Sequence, residues 1–576
     1  MATSSTEKPV PSNGTVLADD ILYMAFELLS RNTVKEVALV CKRWNKICSP
    51  QINRVVDFTF SIGSQQRNAD LLHRLRAESK ITKEVRVIRI DEWLPPRGVE
   101  IERREQLGRT DFEQLSTGPA STQVSGPQSQ FLQLVEIIPL FKLKTLVWIG
   151  RPNIPKSLLS VISQQPLLDF EIISRDLGGP SPFEPCRLPR TRLRLIRTLL
   201  DTKVVNITTL VFCIPVSAEN RQLVQLLGSI IRASPRLQNL CLRALLPVDP
   251  NKYQRGCPWA VEDGHVVPFP PVQSLQLSDF QMCPESTDDK LAWQQLIQWS
   301  EIVKFATTSN LLFCSHNMPK LKVLHLLGSN NLVRMSNPLQ TTIREQEERM
   351  RKSLLTCPPL IGLVVSNEAC LFDRAVWNRH KNTLTSLSIV SPRFDRPPMD
   401  AEILAEFRQL PFLTSLAISV IRPLLDYYPH PSRQLPSITE TFSSEEPFAT
   451  IHKSISSLVW VEHFELGVFI MYPPITFQYC RQIWDFLWNA LLECGRASFG
   501  PTWRPRLREL DLIAASTTLC TVYFNIQSSE GAEDGSCTIK CLMLDHVRRY
   551  RQEFAGPGVY GLDALVKKWE DLGLEG

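Results

Sequence analysis

One glycine-rich segment has the spacing of a phosphate-binding loop. Residues Gly556 to Gly561 read Gly-Pro-Gly-Val-Tyr-Gly and match the pattern G-x-G-x-x-G. In dinucleotide-binding folds this pattern joins a strand to a helix, and its backbone amides contact the phosphates. Pro557 has no amide hydrogen, and the short stretch from Gly561 to Gly576 leaves no room for a βαβ unit. We therefore expect no nucleotide cofactor.

Two groups of residues have types that could bind zinc. Cys537, Cys541 and His546 are close in the sequence, but no Cys-x-x-Cys pair is present and the segment around Cys541 is typical of a buried strand. His452 and His463 have no evident third ligand. No Ser-His-Asp, Cys-His or P-loop pattern can be assembled either. The sequence predicts no metal site and no catalytic activity.

The charged residues do not form one strong basic or acidic face. Lys and Arg number 64 against 59 Asp and Glu, and the surplus of 5 is spread along the chain. The run from Arg344 to Lys352 mixes signs as a solvated helix face does, and Arg548, Arg549 and Arg551 form a small basic group typical of a surface. Neither nucleic acid nor an anionic membrane is an expected partner.

The composition is that of a folded protein that stays in the cytoplasm or the nucleus. Of the residues, 43% are hydrophobic, and the 15 cysteines lie mostly in apolar runs, which favours reduced, buried thiols. Residues Met1 to Gly14 have no apolar core typical of a signal peptide. No stretch approaches the length of apolar sequence that spans a membrane.

A short pattern of apolar residues, L-x-x-L-x-L in its simplest form, recurs thirteen times. Its fourth position is occupied by Ile88, Leu146, Phe170, Leu210, Leu240, Leu275, Leu324, Leu363, Leu387, Leu416, Phe464, Leu510 and Leu542. Seven copies have a proline one or two residues before the first apolar position, where about two would be expected by chance. These are Pro166, Pro235, Pro271, Pro319, Pro359, Pro411 and Pro505.

The prolines predict a repeating unit of helix, break and short strand. A proline ends a helix and begins an extended segment, because it lacks a donor and forces the residue before it out of the helical region. Helical periodicity precedes the break at Arg221 to Ile231, Thr342 to Leu355, Ala401 to Phe407 and Tyr479 to Leu492. We expect an α/β solenoid of short parallel strands with outer helices. An ordinary α/β domain whose buried strands follow proline is the alternative.

This pattern resembles that of the leucine-rich repeats over most of residues 81 to 546. Successive fourth positions are 24 to 58 residues apart, and the asparagine that usually follows the strand in that family is mostly missing. The resemblance therefore implies an irregular array with inserts.

Residues 16 to 48 predict two short amphipathic helices. Asp19 or Asp20 can cap the first helix, whose apolar residues are Ile21, Leu22, Phe26 and Leu29. Asn32 or Thr33 opens the second helix, whose apolar residues are Val37, Leu39, Val40, Trp44 and Ile47. Two such helices make a poor independent domain, so part of their apolar surface should contact something else.

The same segment resembles an F-box. The matching residues are Leu17, Asp20-Ile21-Leu22, Leu28-Leu29 and the segment Val40 to Ile47, whereas Ala18 stands where the family usually has proline. The resemblance implies docking on the Skp-type adaptor of SCF ubiquitin ligases, and through it on the cullin and RING subunits. It also implies that the adaptor-binding surface is formed or supported by Leu17, Ile21, Leu22, Leu28, Val40 and Trp44. The alternative is that these helices only cap the repeat array.

The expected organisation has five parts. They are a disordered tail (1–14), an F-box-like module (15–50), a helical connector (51–80), the array (81–546) and a C-terminal tail or cap helix (547–576). Surface inserts are expected in the array near 97–130, 247–271 and 427–447. The expected function is that of a substrate-recognition subunit of an SCF-type ubiquitin ligase, whose array binds a protein substrate. The alternatives are a repeat scaffold for protein-protein interaction without a ligase and, more remotely, an enzyme within an irregular α/β body.

Overall fold

A computed structural model describes most of the chain between residues 19 and 541. The described residues are 19–27, 31–60, 65–91, 127–150, 154–174, 189–216, 220–245, 256–259, 266–278, 280, 287–307, 313, 317–326, 340–365, 374–389, 407, 410–420, 459–469, 477–515, 521–528 and 536–541. The predicted tails, 1–14 and 547–576, lie outside this set, as do the insert 427–447 and most of 97–130.

The chain begins with three helices, which we call the N-terminal module: α1 (Asp19–Glu27), α2 (Arg31–Val40) and α3 (Lys42–Asn53). The prediction of only two helices is wrong, because the second one breaks at Cys41. There the backbone is extended, with φ −158° and ψ 163°, and the Sγ atom accepts a hydrogen bond from the amide of Trp44. Cys41 therefore caps α3, and the chain changes direction between Val40 and Lys42.

The rest of the described chain is built on one sheet of 16 strands, which lie in the order of the sequence from β1 to β16. Neighbouring strands pair in parallel from β1 to β14, whereas β15 and β16 are antiparallel to their neighbours. The protein is therefore α/β, with a long and mostly parallel sheet whose sequential order is compatible with a solenoid. The strands are Val55–Thr59, Val87–Asp91, Thr145–Gly150, Asp169–Ser174, Ile207–Pro215, Asn239–Leu245, Ser274–Ser278, Lys304–Thr307, Val323–Leu326, Gly362–Val365, Ser386–Ile389, Ser415–Val420, His463–Phe469, Glu509–Ala515, Thr521–Ser528 and Cys537–Cys541.

The recurring apolar pattern coincides with the strands. Twelve copies fall on β2 to β7 and β9 to β14, and the fourth position of each is at most 4% exposed. The last copy begins in β16, but its fourth position, Leu542, lies outside the described residues. Three strands were not predicted: β1, β8 and β15. The prediction of short parallel strands is thus confirmed, although the sheet has more strands than the pattern indicates.

The start of most of the parallel strands is held by a hydrogen-bond arrangement that repeats along the sheet. Before β3, the amides of Lys144 and Thr145 both donate to the carbonyl oxygen of Arg86, at 2.8 and 3.1 Å. Before β7, the amides of Gln273 and Ser274 donate in the same way to Gln238, at 2.9 and 3.0 Å. The same pairing recurs before β9 to β14. Because backbone groups make these bonds, the side chains at the second and third positions of the pattern can differ from repeat to repeat without loss of the bonds.

Helices lie between many of the strands, and their apolar sides join the strands in one continuous core. The helix at Arg221–Arg232 (α9) shows the relation, since Leu223, Leu227 and Ile230 are all buried. Three of the four predicted helices, Arg221 to Ile231, Thr342 to Leu355 and Tyr479 to Leu492, coincide with described helices. Their boundaries agree within about two residues, except that the third helix extends to Phe499. Of the fourth predicted helix, Ala401 to Phe407, only Phe407 is described. The helices after the module are α4 (Gln65–Ala77), α5 (Ser79–Glu84), α6 (Pro127–Ile137), α7 (Lys156–Ser163), α8 (Pro189–Asp201), α9, α10 (Thr287–Leu296), α11 (Gln340–Thr356), α12 (Arg374–His380) and α13 (Phe477–Phe499).

Two predicted segments differ from the structure. The helical connector 51–80 contains the strand Val55–Thr59, so the sheet begins well before residue 81. The described part of the insert 247–271 is not a surface loop, because Cys257, Trp259 and Phe269 are buried in the core. Within the described residues, no helix is long and apolar enough to cross a membrane.

Candidate partner-binding surface

The N-terminal module has a small hydrophobic core of its own. Its buried residues form a cluster separate from the core of the sheet: Leu22, Phe26, Val34, Ala38, Ile47 and Cys48. Trp44 is half-buried at the edge of this cluster and meets the ring of Phe26 edge-on, with 5.5 Å between the centroids. The three helices therefore pack on each other and need no contact with the sheet core to bury these residues.

Polar contacts fix α1 against α3. The Arg43 guanidinium lies 2.8 Å from the carboxylate of Asp19, and Gln51 donates a hydrogen bond to the carbonyl oxygen of Tyr23 at 3.0 Å. A third hydrogen bond joins α3 to α2: the side-chain amide of Asn45 donates to the carbonyl oxygen of Ala38 at 3.3 Å. The ion pair is exposed and contributes little stability, so its main effect is on the orientation of the helices.

Among its described residues the module exposes four large apolar side chains, in one pair on α1 and one pair on α2, which together we call the apolar face. Ile21 and Met24 are 48% and 59% exposed, and their spacing of three places them on one side of α1. Leu39 and Val40, at the end of α2, are 84% and 64% exposed. Apolar area left in water adds nothing to the stability of the module, and a concentration of it is typical of an interaction site.

The structure divides the six predicted site residues into three groups. Ile21 and Val40 belong to the apolar face, as a contact surface requires. Leu22 is buried within the module and Trp44 is half-buried, so both support the surface from beneath. Leu17 and Leu28 lie outside the described residues, as does Ala18.

Met24 and Leu39 were missed as members of the surface. A helical phase could have identified Met24, because Leu22 and Phe26 are four apart and face the core, which turns Ile21 and Met24 away from it. Helical phase could have identified Leu39 as well, because in a continuous helix it would lie about 100° from Val40 and about 140° from Trp44, off the face that those two residues share.

The module is joined directly to the first strand of the sheet. Only Arg54 separates α3 from β1, and its carbonyl oxygen accepts hydrogen bonds from the amides of Arg86 and Val87, both at 2.9 Å. The side-chain amide of Asn53 donates a hydrogen bond to the carboxylate of Glu84, the last residue of α5, at 2.8 Å. These bonds hold the end of α3 at the first end of the sheet.

No protein-family model matches the sequence, and no curated protein matches it either. The geometry of the surface therefore carries the functional argument.

A second surface is the other face of the sheet, whose residues alternate with the core residues along each strand. In register, Asp57, Arg89, Val147 and Glu171 lie side by side on β1 to β4. Arg89 is exposed, Asp57 and Glu171 are half-buried, and Val147 is only 5% exposed. Partial burial raises the pKa of the Glu171 carboxyl, opposed by Arg89 and reinforced by Asp169. Asp169 forms an ion pair with Arg236. This face carries charged groups of both signs.

The residues considered for metal binding do not form a site in the described part of the chain. His463 is exposed, and its Nδ1 atom lies 3.0 Å from the carboxylate of Glu509 on the neighbouring strand. Cys537 packs half-buried against the core, and burial raises the pKa of its thiol. His452 and His546 lie outside the described residues. Among those described, no three His, Cys, Asp or Glu residues are grouped to hold a metal ion.

Proposed function

We propose that this chain is the substrate-recognition subunit of an SCF-type ubiquitin ligase, in which the N-terminal module docks on a Skp-type adaptor and the sheet binds a protein substrate. One observation carries the proposal: a three-helix unit with its own core leaves four large apolar side chains exposed and is joined to one end of a long sequential sheet. The chain then contributes positioning, and ubiquitin transfer takes place on other subunits.

The proposed adaptor contact differs from the one that the F-box resemblance implies. Ile21, Met24, Leu39 and Val40 contact the adaptor, whereas Leu22 and Trp44 hold these residues in place. Burying the apolar face against a partner removes its area from water, which stabilises the complex by roughly 25 cal/mol for each Å² of apolar area buried.

The test is co-purification of the intact chain with a Skp-type adaptor, repeated with Leu39→Asp. Because Leu39 is 84% exposed, the substitution should leave the fold intact and place a charge in the contact. Leu167→Asp is the matched control, since Leu167 is 87% exposed and precedes β4. We expect Leu39→Asp to abolish co-purification and Leu167→Asp to leave it unchanged, with circular dichroism showing the same fold for all three.

Two further variants separate direct contact from support. A chain lacking residues 1–50 should lose adaptor binding, and Trp44→Ala should weaken it because Phe26 loses its neighbour and the module loosens. If the intact chain does not bind the adaptor at all, the ligase proposal fails. A scaffold that binds proteins through the sheet, without a ligase, would then account for the fold.

A further inference from the structure

Towards the end of the sheet far from the module, three aromatic rings and one arginine side chain pack against each other. The rings of Trp460 and Phe499 have centroids 5.0 Å apart and planes at 59°, and those of Phe499 and Trp503 have centroids 6.1 Å apart and planes at 29°. The Arg506 guanidinium carbon lies 5.0 Å from the centroid of Trp460. We call these four residues the aromatic-arginine stack.

Three short pieces of chain bring the stack together. Trp460 precedes β13, Phe499 is the last residue of α13, and the segment from Trp503 to Arg508 leads into β14. Gly500 has a φ of +99°, a conformation that glycine adopts readily, and its carbonyl oxygen accepts a hydrogen bond from the Trp503 amide at 3.1 Å. The chain therefore turns back sharply after the helix.

A glycine inside α13 admits the ring of Trp503. A Cβ atom on Gly495 would lie 2.0 Å from Cε3 of Trp503, a distance that no real contact allows. Glycine is a poor residue for a helix interior, yet it allows the indole to lie against the helix backbone. The position of the stack is thus fixed by Gly495 and Gly500 as well as by the rings.

The stack is partly open to solvent and lies in a positively charged segment. Phe499 is 48% exposed. Residues 494–508 contain four arginines and no carboxylate: Arg496, Arg504, Arg506 and Arg508. All four are exposed, and the guanidinium of Arg508 lies 3.8 Å from the carboxylate of Glu462. An exposed stack of rings and cations complements a partner with apolar and acidic side chains.

We infer that the aromatic-arginine stack binds an acidic segment of the protein partner that the sheet recognises. An arginine stacked on an indole keeps its N–H groups in the guanidinium plane, where they can donate two hydrogen bonds to one carboxylate. Tryptophan and arginine are also enriched among the residues on which interfaces depend most. The inference rests on the part of the proposed function that assigns protein binding to the sheet.

Single-stranded nucleic acid fits the stack less well. Base stacking needs a free ring face, whereas Arg506 covers a face of Trp460 and the rings of Phe499 and Trp503 are stacked on each other. The guanidinium groups, in contrast, are exposed and suit carboxylates.

Fluorescence anisotropy with the full chain and a labelled peptide of alternating glutamate and leucine tests the inference. We expect binding that weakens with added salt and that Arg506→Gln weakens by at least about tenfold. Phe499→Ser, which keeps every charge, should also weaken binding. Arg374→Gln is the matched control, because Arg374 is an exposed arginine on α12, and it should leave the affinity unchanged.

Other outcomes overturn the inference. No binding of the peptide, or equal affinity of the intact chain and Arg506→Gln, would show that the stack serves the fold alone. Preferential binding of poly(U) would make it a nucleic-acid surface. Adaptor co-purification keeps this result separate from the ligase proposal: Arg506→Gln should leave adaptor binding intact, and Leu39→Asp should leave peptide binding intact.

Discussion

At the scale of single residues, His380 shows how a buried polar group joins two neighbouring repeats. The side chain is 1% exposed, and its Nδ1 atom accepts a hydrogen bond from the amide of Leu360 at 3.1 Å. Since Nδ1 is an acceptor, the proton is on Nε2, which donates to the carbonyl oxygen of Leu354 at 3.1 Å. The imidazole thus fixes the end of α11 to the turn before β10 and must be neutral to do so.

This arrangement makes the stability of the protein depend on pH. Burial lowers the pKa of His380 to about 4, below the ordinary value of 6.5, so the unfolded chain binds a proton more readily than the folded one. The stability contributed by neutral His380 is therefore lost as the pH falls from about 6.5 towards about 4. Between pH 7 and pH 5 we expect a loss of about 2 kcal/mol from this residue.

Urea unfolding followed by tryptophan fluorescence at the two pH values measures the loss. His380→Gln, whose amide does not titrate, should be less stable at pH 7 but should lose about 2 kcal/mol less on going to pH 5. Thr383→Val is the control, because it removes a hydroxyl that does not titrate and that donates a hydrogen bond to the carbonyl oxygen of Leu360 at 2.7 Å; it should lower the stability at both pH values and preserve the pH dependence of the intact chain. An unchanged dependence in His380→Gln would show that other groups cause it.

At the scale of the elements, the segment around Trp259 packs into the core although its sequence predicts a loop. The Trp259 indole donates a hydrogen bond to the carbonyl oxygen of Val224 in α9 at 2.9 Å, and its ring meets those of Phe269, Phe280 and Trp293. Few apolar residues are present between 247 and 271, but Trp259 and Phe269 among them are large and buried. A count of apolar residues therefore underestimates how firmly the segment is held.

Gly228 in α9 is the counterpart of Trp259. A Cβ atom there would lie 2.8 Å from Cδ1 of the indole, so Gly228→Ala should destabilise the protein, although alanine normally stabilises a helix interior relative to glycine by about 1 kcal/mol. In a Trp259→Ala background, where the clash is absent, the same substitution should be stabilising. Thermal unfolding of the intact chain, the two single variants and the double variant measures the coupling between Gly228 and Trp259. Stabilisation by Gly228→Ala in the intact chain would contradict the contact.

The strands that the sequence failed to predict each break the apolar pattern for a local reason. In β1 the first position of the pattern is Asn53, which is hydrogen-bonded to Glu84 at the junction with the module. In β8 the sixth position is Thr307, which is polar yet completely buried. Strand β15 is antiparallel and follows a different connection. The parallel strands with apolar residues at all three positions were predictable, because burial on the helix side requires them.

The candidate site was less predictable than the sheet. The segment Val40-Cys41-Lys42 contains neither glycine nor proline, so nothing in it signals the break that ends α2. Without that break, Val40 is assigned with Trp44 and Ile47 to the buried side of a long helix. Apolar residues that face a partner and those that face a core have the same type and spacing, and only their packing distinguishes them.

At the scale of the whole molecule, the order of the strands limits how far a local change is felt. Each strand in the interior of the sheet pairs only with its two neighbours in the sequence, and the N-terminal module buries its apolar residues in a cluster of its own. Stability in such an arrangement is approximately a sum of terms for single repeats and for contacts between neighbours. Distant parts of the sheet should therefore open independently of each other.

Two matched substitutions test this independence. Phe170 in β4 and Phe464 in β13 occupy the same position of the pattern and are 0% and 4% exposed, so replacing either with alanine should cost about 3 to 5 kcal/mol locally. By hydrogen exchange, Phe464→Ala should raise the exchange rates of amides in β12 to β14 and leave those in β3 to β5 unchanged. Phe170→Ala should do the reverse. If either substitution raised exchange equally at both ends, the sheet would be a single cooperative unit, because only a global opening could transmit the loss of one ring across eight intervening strands.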